Sequence, residues 1–239
     1  MNKNSNTYQI LYAAIMVVVV GVVLALVYMT LKPKQDLNIA NDKRQQILSS
    51  VHIAAPDKDQ VEPLYKKYIT SEYIVNDKGE ITSKGENEAF NIDMKSNIKN
   101  ANRQLPVFEC TLDDGSLKYI VPVYGAGLWG PIWGYIAVEA DGQTIYGANF
   151  SHSSETPGLG AKIAEKDFQD EFNGLALYHN DKFSPVQVLK KGQTATDGAP
   201  AINAITGATI TSRGVQTMLA DCLVPYDAFF KKLKSETAK

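Results

Sequence analysis

Apolar positions along the chain follow three different periods. From Ile10 to Met29, 20 consecutive residues are apolar or aromatic apart from Gly21, within a stretch from Asn4 to Leu31 that carries no charge. A helix of that length rises about 30 Å, the thickness of a bilayer's hydrocarbon core. A soluble core helix would keep a polar stripe. The run also exceeds the roughly 7–15 residues of a signal peptide's apolar region and is followed by no small-residue cleavage site. The pattern therefore predicts one uncleaved membrane anchor over residues 1–32, in contact with lipid, and a soluble body over residues 33–239.

In the body the period first becomes helical. Asp36 to Val51 reads as a polar helix leaving the membrane, and Val61, Leu64, Tyr65, Tyr68 and Ile69 recur at i, i+3, i+4, i+7 and i+8, as on one face of an amphipathic helix. Residues 76–102 lose periodicity and are rich in Asn, Asp and Gly, which predicts a long loop or insertion. From Leu117 the segments Leu117 to Tyr124, Ile132 to Glu139 and Gln143 to Phe150 are rich in Val, Ile, Tyr and Trp, with Asp141-Gly142 as a hairpin signal between the last two. They predict an antiparallel meander. A helix over Ala161 to Phe172, short strands at Leu175–Tyr178 and Val186–Leu189, and a helix over Thr211 to Leu223 follow. Pro225 then opens a last helix with Tyr226, Phe229, Phe230 and Leu233 on one stripe. The fold class is α+β, a mainly antiparallel sheet domain on a single N-terminal transmembrane helix.

Charge narrows the possible partners. Lys and Arg total 24 against 26 Asp and Glu, so no cationic field exists to hold a nucleic acid. The two cysteines, Cys110 and Cys222, lie far apart and outside any CxxC pattern, and the three histidines, His52, His152 and His179, are dispersed. No metal site is expected. A disulfide is left open. Near the anchor, Lys3 lies on one side and Lys32, Lys34, Lys43 and Arg44 on the other, a count that by itself places the body in the cytoplasm.

Three segments carry candidate chemistry. Gly125, Gly127 and Gly130 spell G-x-G-x-x-G, but the third glycine leads into a strand-like segment. A dinucleotide site needs a helix there. Either this is a glycine-rich hairpin from which Leu128, Trp129 and Trp133 wall a pocket, or the glycines serve an ordinary turn and the tryptophans pack in the core. The second segment, His152 to Gly160, holds Glu155, Thr156, Gly158, Leu159 and Gly160 in a strand-to-helix turn, where Glu155 or Thr156 could simply cap the following backbone. The third runs Thr206-Gly207-Ala208-Thr209-Ile210-Thr211-Ser212. Small neighbours leave the Thr209 hydroxyl open at a helix start, a natural seat for phosphate. The simpler alternative is that Thr209, Thr211 or Ser212 caps the helix.

Together, the anchor, the GLW block at Gly127–Trp129, the ETPGLG block at Glu155–Gly160 and the (S/T)GAT block at Thr206–Thr209 resemble a known family. It is the C subunit of the bacterial sodium-translocating NADH:quinone oxidoreductase, within the wider group of FMN-binding domains. The resemblance implies FMN joined by a phosphoester to Thr209, the last threonine of the (S/T)GAT motif, with Thr206, Gly207 and Ala208 preceding it and Thr211 and Ser212 following. It implies contacts from Leu128 and Trp129 and from Glu155, Thr156, Gly158, Leu159 and Gly160.

The resemblance further implies a one-electron relay in an assembly of several proteins that oxidises NADH, reduces quinone and exports sodium, with no catalytic triad and no NADH site in this chain. It implies a flavin transferase as partner during maturation, and a single-pass protein of the bacterial inner membrane whose body faces the periplasm. That orientation opposes the charge count, and folded domains translocate despite that count. A flavin tethered through its phosphate cannot diffuse away outside the cytoplasm. Two alternatives remain at this level: the G subunit of an Rnf-type pump, which shares the covalent FMN but serves ferredoxin and NAD, and a non-redox membrane-anchored binding module.

Overall fold

The computed structural model describes residues 5–190 and 192–237. Helix α1 (Asn6–Ser49) is continuous through Pro33, so the proline removes one intrahelical bond without ending the helix. The side chains from Ile10 to Met29 are all exposed, and α1 is long and apolar enough to cross a membrane. The chain divides into two compact units at Lys43/Arg44.

In the second unit, α2 (Val61–Tyr68) precedes β1 (Ile69–Val75) and β2 (Ile81–Lys84), and the short α3 (Met94–Asn97) precedes β3 (Leu105–Thr111). The strands β4 (Leu117–Ala126), β5 (Pro131–Glu139) and β6 (Ile145–His152) form the expected meander. All six strands join one sheet in the order β2-β1-β3-β4-β5-β6, every neighbouring pair antiparallel. Then come α4 (Lys166–Asp170), the paired short strands β7 (Tyr178–His179) and β8 (Lys182–Phe183), and the parallel pair β9 (Gln187–Leu189) and β10 (Ala201–Asn203). Helices α5 (Thr209–Leu223) and α6 (Asp227–Thr237) close the fold.

Side-chain alternation sends the two faces of the sheet into separate cores. Val107, Val121, Ile132 and Ile136 pack with Val215, Leu219, Phe229 and Phe230 of α5 and α6. Phe108, Ile120, Tyr135 and Ala137 pack with Ile47 and Leu48 at the end of α1 and with Tyr65 and Tyr68 of α2. Helix α5 lies on the β4–β5 hairpin through Gly214, where a Cβ would collide with the carbonyl oxygen of Ala126. The C-terminal stripe of Tyr226, Phe229, Phe230 and Leu233 is buried as its spacing predicts.

Three expectations need correction. Residues 76–102 are not a plain loop. The Asn76 side chain accepts from Lys78 N and Glu80 N, making a turn that returns the chain as β2 on the edge of β1, with Tyr73 opposite Lys84. Further on, Asp93 accepts from Lys95 N at the start of α3. The helix expected over Ala161 to Phe172 is a 3-10 turn, Gly160–Ala164, and the short α4, separated at Glu165. Ile69, read as the end of α2's apolar face, instead begins β1.

Cys110 lies in the α1/α2 core and Cys222 in the α5/α6 core, on opposite faces of the sheet, and both are free. Burial pushes the Cys110 thiol up to about 12 and raises that of Cys222 as well. The thiolate is the reactive form. Neither cysteine should therefore take up iodoacetamide in the native protein at pH 8, and both should in 6 M guanidinium, as read by peptide mass spectrometry.

Candidate functional site

Three loops meet around one buried carboxylate. The turn joining β4 to β5 closes with Gly127 N donating to Gly130 O at 2.8 Å. Between β6 and the 3-10 turn, Glu155 N donates to His152 Nδ1 at 3.2 Å, and the Thr156 carbonyl accepts from Leu159 N and Ala161 N, both at 3.1 Å. The third loop is the first turn of α5. The Glu155 side chain is 4% exposed. Its Oε1 accepts from the backbone N of Trp129 at 2.9 Å, and its Oε2 accepts from Thr211 Oγ1 at 2.6 Å.

The sequence fits tightly around this carboxylate. A Cβ at Gly127 would run into Oε1 and one at Gly160 into Oε2. A carboxylate beside the first turn of α5 also complements the positive end of its dipole. Glu155 therefore caps neither its own loop nor the 3-10 turn after it, but joins the GLW turn to α5.

The hydroxyls of the third segment have divided roles. Ala208 occupies the N-cap position of α5, with no side-chain cap. Ser212 Oγ accepts from Ile205 N at 3.1 Å, and Thr211 is committed to Glu155. The simpler expectation, that Thr209, Thr211 or Ser212 caps the helix, does not hold. Thr209 opens α5, half-buried, while Thr206 is exposed in the turn before it. Gly207 has φ +80° and packs under the Leu159 side chain, which ties the second segment to the third. Thr156 and Gly158 are exposed on the loop, and Gly160 is buried beside Glu155.

Apolar side chains are left uncovered in these same segments. Leu128 is 44% exposed, Trp129 65%, Leu159 41% and Ile210 59%. Trp133, expected on the same wall, points away. It is half-buried, and its Nε1 donates to Gln46 Oε1 at 2.9 Å on α1, because alternation along β5 gives the α5 face to Ile132. Among the described residues no three His, Cys, Asp or Glu gather as metal ligands.

Sequence reasoning missed a cavity of about 250 Å³ beside Thr209, whose walls include Lys190, Gln193, Arg213 and Gln216. Lys190 and Gln193 follow β9, 16 and 13 residues before the first threonine of the motif, and no pattern links them to it. The donor set suits an FMN group: an accessible threonine hydroxyl, cations beside it, and uncovered apolar side chains for a planar ring system.

Comparison with known proteins agrees with this geometry. A family described as FMN-binding domain matches residues 127–224, a span that holds the GLW, ETPGLG and (S/T)GAT blocks. The chain is 30% identical to the C subunit of the Na(+)-translocating NADH-quinone reductase of Vibrio alginolyticus over 78% of each chain. It is 28% identical to the protein of that name from Neisseria meningitidis serogroup B over 100% of this chain and 98% of the relative. The crystal structure of the Parabacteroides distasonis protein of that name superposes with a TM-score of 0.77 at 42% identity, covering 84% of this chain and 96% of that one. The chain thus belongs to the family of C subunits of the Na(+)-translocating NADH-quinone reductases.

Proposed function

We propose that this chain is the electron-carrying subunit of a membrane-bound complex that oxidises NADH, reduces quinone and exports sodium, and that it holds FMN through a phosphoester to Thr209 Oγ1. The observation that carries the reading is the junction at Glu155. It brings Trp129, Leu159 and the first turn of α5 together around an open Thr209. When bound, FMN supplies the electron transfer itself.

The protein's residues bind and orient. Thr209 is the attachment point, and Thr206, Gly207 and Ala208 shape the approach to it. Glu155 fixes the surrounding loops. Leu128, Trp129 and Leu159 offer apolar surface, with Thr156, Gly158 and Gly160 completing the turn beside them. Thr211 and Ser212 hold the start of α5 in place. Maturation by a flavin transferase would use FAD: Thr209 Oγ1 gives up its proton, bonds to phosphorus and displaces AMP.

Each relative named above is a quinone-reductase subunit, which supports this reading over a ferredoxin-linked G subunit, and the FMN-binding description supports it over a non-redox module. The exposed apolar run of α1 supports a single membrane pass in contact with lipid; the bacterial inner membrane, with residues 33–239 as the body in the periplasm, is carried by the family resemblance alone. The remaining subunits of the complex are the expected partners.

The full-length protein, co-expressed with a flavin transferase, tests the reading. After SDS denaturation its gel band should keep flavin fluorescence, and digestion should yield the Thr209 peptide heavier by FMN less one water. Recovery of that peptide unmodified from an active complex would overturn the attachment.

A further inference from the structure

The charged residues lining the cavity beside Thr209 are of one sign. The lining contains Lys190 and Arg213 and, among the described residues, no carboxylate, in a chain with more acidic than basic residues. Neither cation joins an ion pair among the described residues.

Three glutamines on its wall have their acceptors already engaged. Gln216 Oε1 accepts from Val188 N at 2.9 Å, Gln193 Oε1 from Lys190 N at 3.0 Å and Gln187 Oε1 from Thr196 N at 3.1 Å. These bonds fix which end of each amide is oxygen. What each side chain still offers is its NH2 group, and none of the three has a partner among the described residues. Two exposed cations and three amide donors line the cavity with Thr209, and no anion among the described residues neutralises the cations.

We propose that this cavity is an oxyanion seat, and that it holds the phosphodiester formed at Thr209. The proposal rests on the attachment at Thr209 argued above. The volume of about 250 Å³ falls below the roughly 300–1,000 Å³ of pockets that enclose drug-sized ligands. It suits a tetrahedral phosphoryl group and leaves the ring system for the apolar residues Trp129, Leu159 and Ile210. Charge-assisted bonds from Lys190 and Arg213 are about twice as strong as neutral ones, and the amides complete the shell around the ester oxygens.

Two measurements on the full-length protein in detergent test this. In the first, flavin-free protein carrying Thr209→Ala is titrated with inorganic phosphate, followed by phosphorus NMR. Lys190→Ala with Arg213→Ala should weaken binding at least tenfold. Gln193→Glu, which keeps the acceptor for Lys190 N but replaces the NH2 donor, should also weaken it. Unchanged affinity in both variants overturns the seat.

In the second, the flavin-loaded protein's phosphodiester resonance is compared in the native and urea-unfolded states. The double variant Lys190→Ala, Arg213→Ala should move the native resonance at least halfway to the unfolded position. A cavity that binds phosphate while the ester resonance ignores both substitutions is a seat for free anions only, which overturns the proposal. Absence of any phosphodiester resonance instead marks failure of the attachment at Thr209, and the phosphate titration still reads the cavity.

Discussion

Thr209→Ala should reduce covalently attached flavin to background, whereas Thr206→Ala should lower its yield without abolishing it. The expectation comes from the positions of the four hydroxyls in the segment. Thr211 and Ser212 are each 1% exposed. Thr211 Oγ1 is bonded to Glu155 and Ser212 Oγ to Ile205 N, so neither can meet an incoming phosphorus without dismantling the start of α5. Thr206 is exposed but lies outside the lining of the donor-rich cavity, which includes Thr209. Flavin fluorescence in a denaturing gel, normalised to stained protein, reads the result. Stoichiometric labelling of Thr209→Ala would mean that another hydroxyl is the acceptor.

Glu155→Ala should have the largest effect on stability among substitutions at the site. It leaves Trp129 N–H and the Thr211 hydroxyl, both bonded to a buried carboxylate, without partners. Hydrogen bonds to charged groups contribute about 1.5–3 kcal/mol each, and an orphaned buried donor costs its desolvation as well. Allowing for relaxation, a loss of about 3 kcal/mol is expected, or a fall in Tm of roughly 6–12 °C for a domain of this size.

Glu155→Gln should cost only about 1 kcal/mol. Its oxygen can still accept from Trp129 N, and its NH2 can donate to Thr211 Oγ1 once that hydroxyl rotates. Thermal unfolding of the full-length protein, followed by circular dichroism, measures both. Equal losses for Ala and Gln would show that the negative charge beside α5, rather than the hydrogen-bond geometry, holds the junction.

The fold was legible wherever one face of an element carries its signal. The anchor, the β4–β6 meander and the final apolar stripe could be read because a bilayer, a half-buried sheet and a helix face each impose their own spacing on apolar residues. β3 was missed: Leu105–Thr111 has apolar residues on both faces, since both face a core, and a short run of that kind has no diagnostic period. The edge strand β2 was missed for the opposite reason. Only four residues long and largely exposed, it is positioned by the Asn76 turn and by its pairing with β1.

At the site, candidate residues could be named from the sequence, but their contacts could not. Motif order picked out Thr209, Glu155 and Trp129 from local composition and resemblance, and those identities do not depend on packing. The sheet and α5 decided that Glu155 bonds to Trp129 and Thr211 instead of capping its own loop, that Trp133 turns toward α1, and that Lys190 comes to lie beside Thr209. A side chain's identity is local, whereas its partners are chosen by segments tens of residues apart, which close packing brings within hydrogen-bond reach.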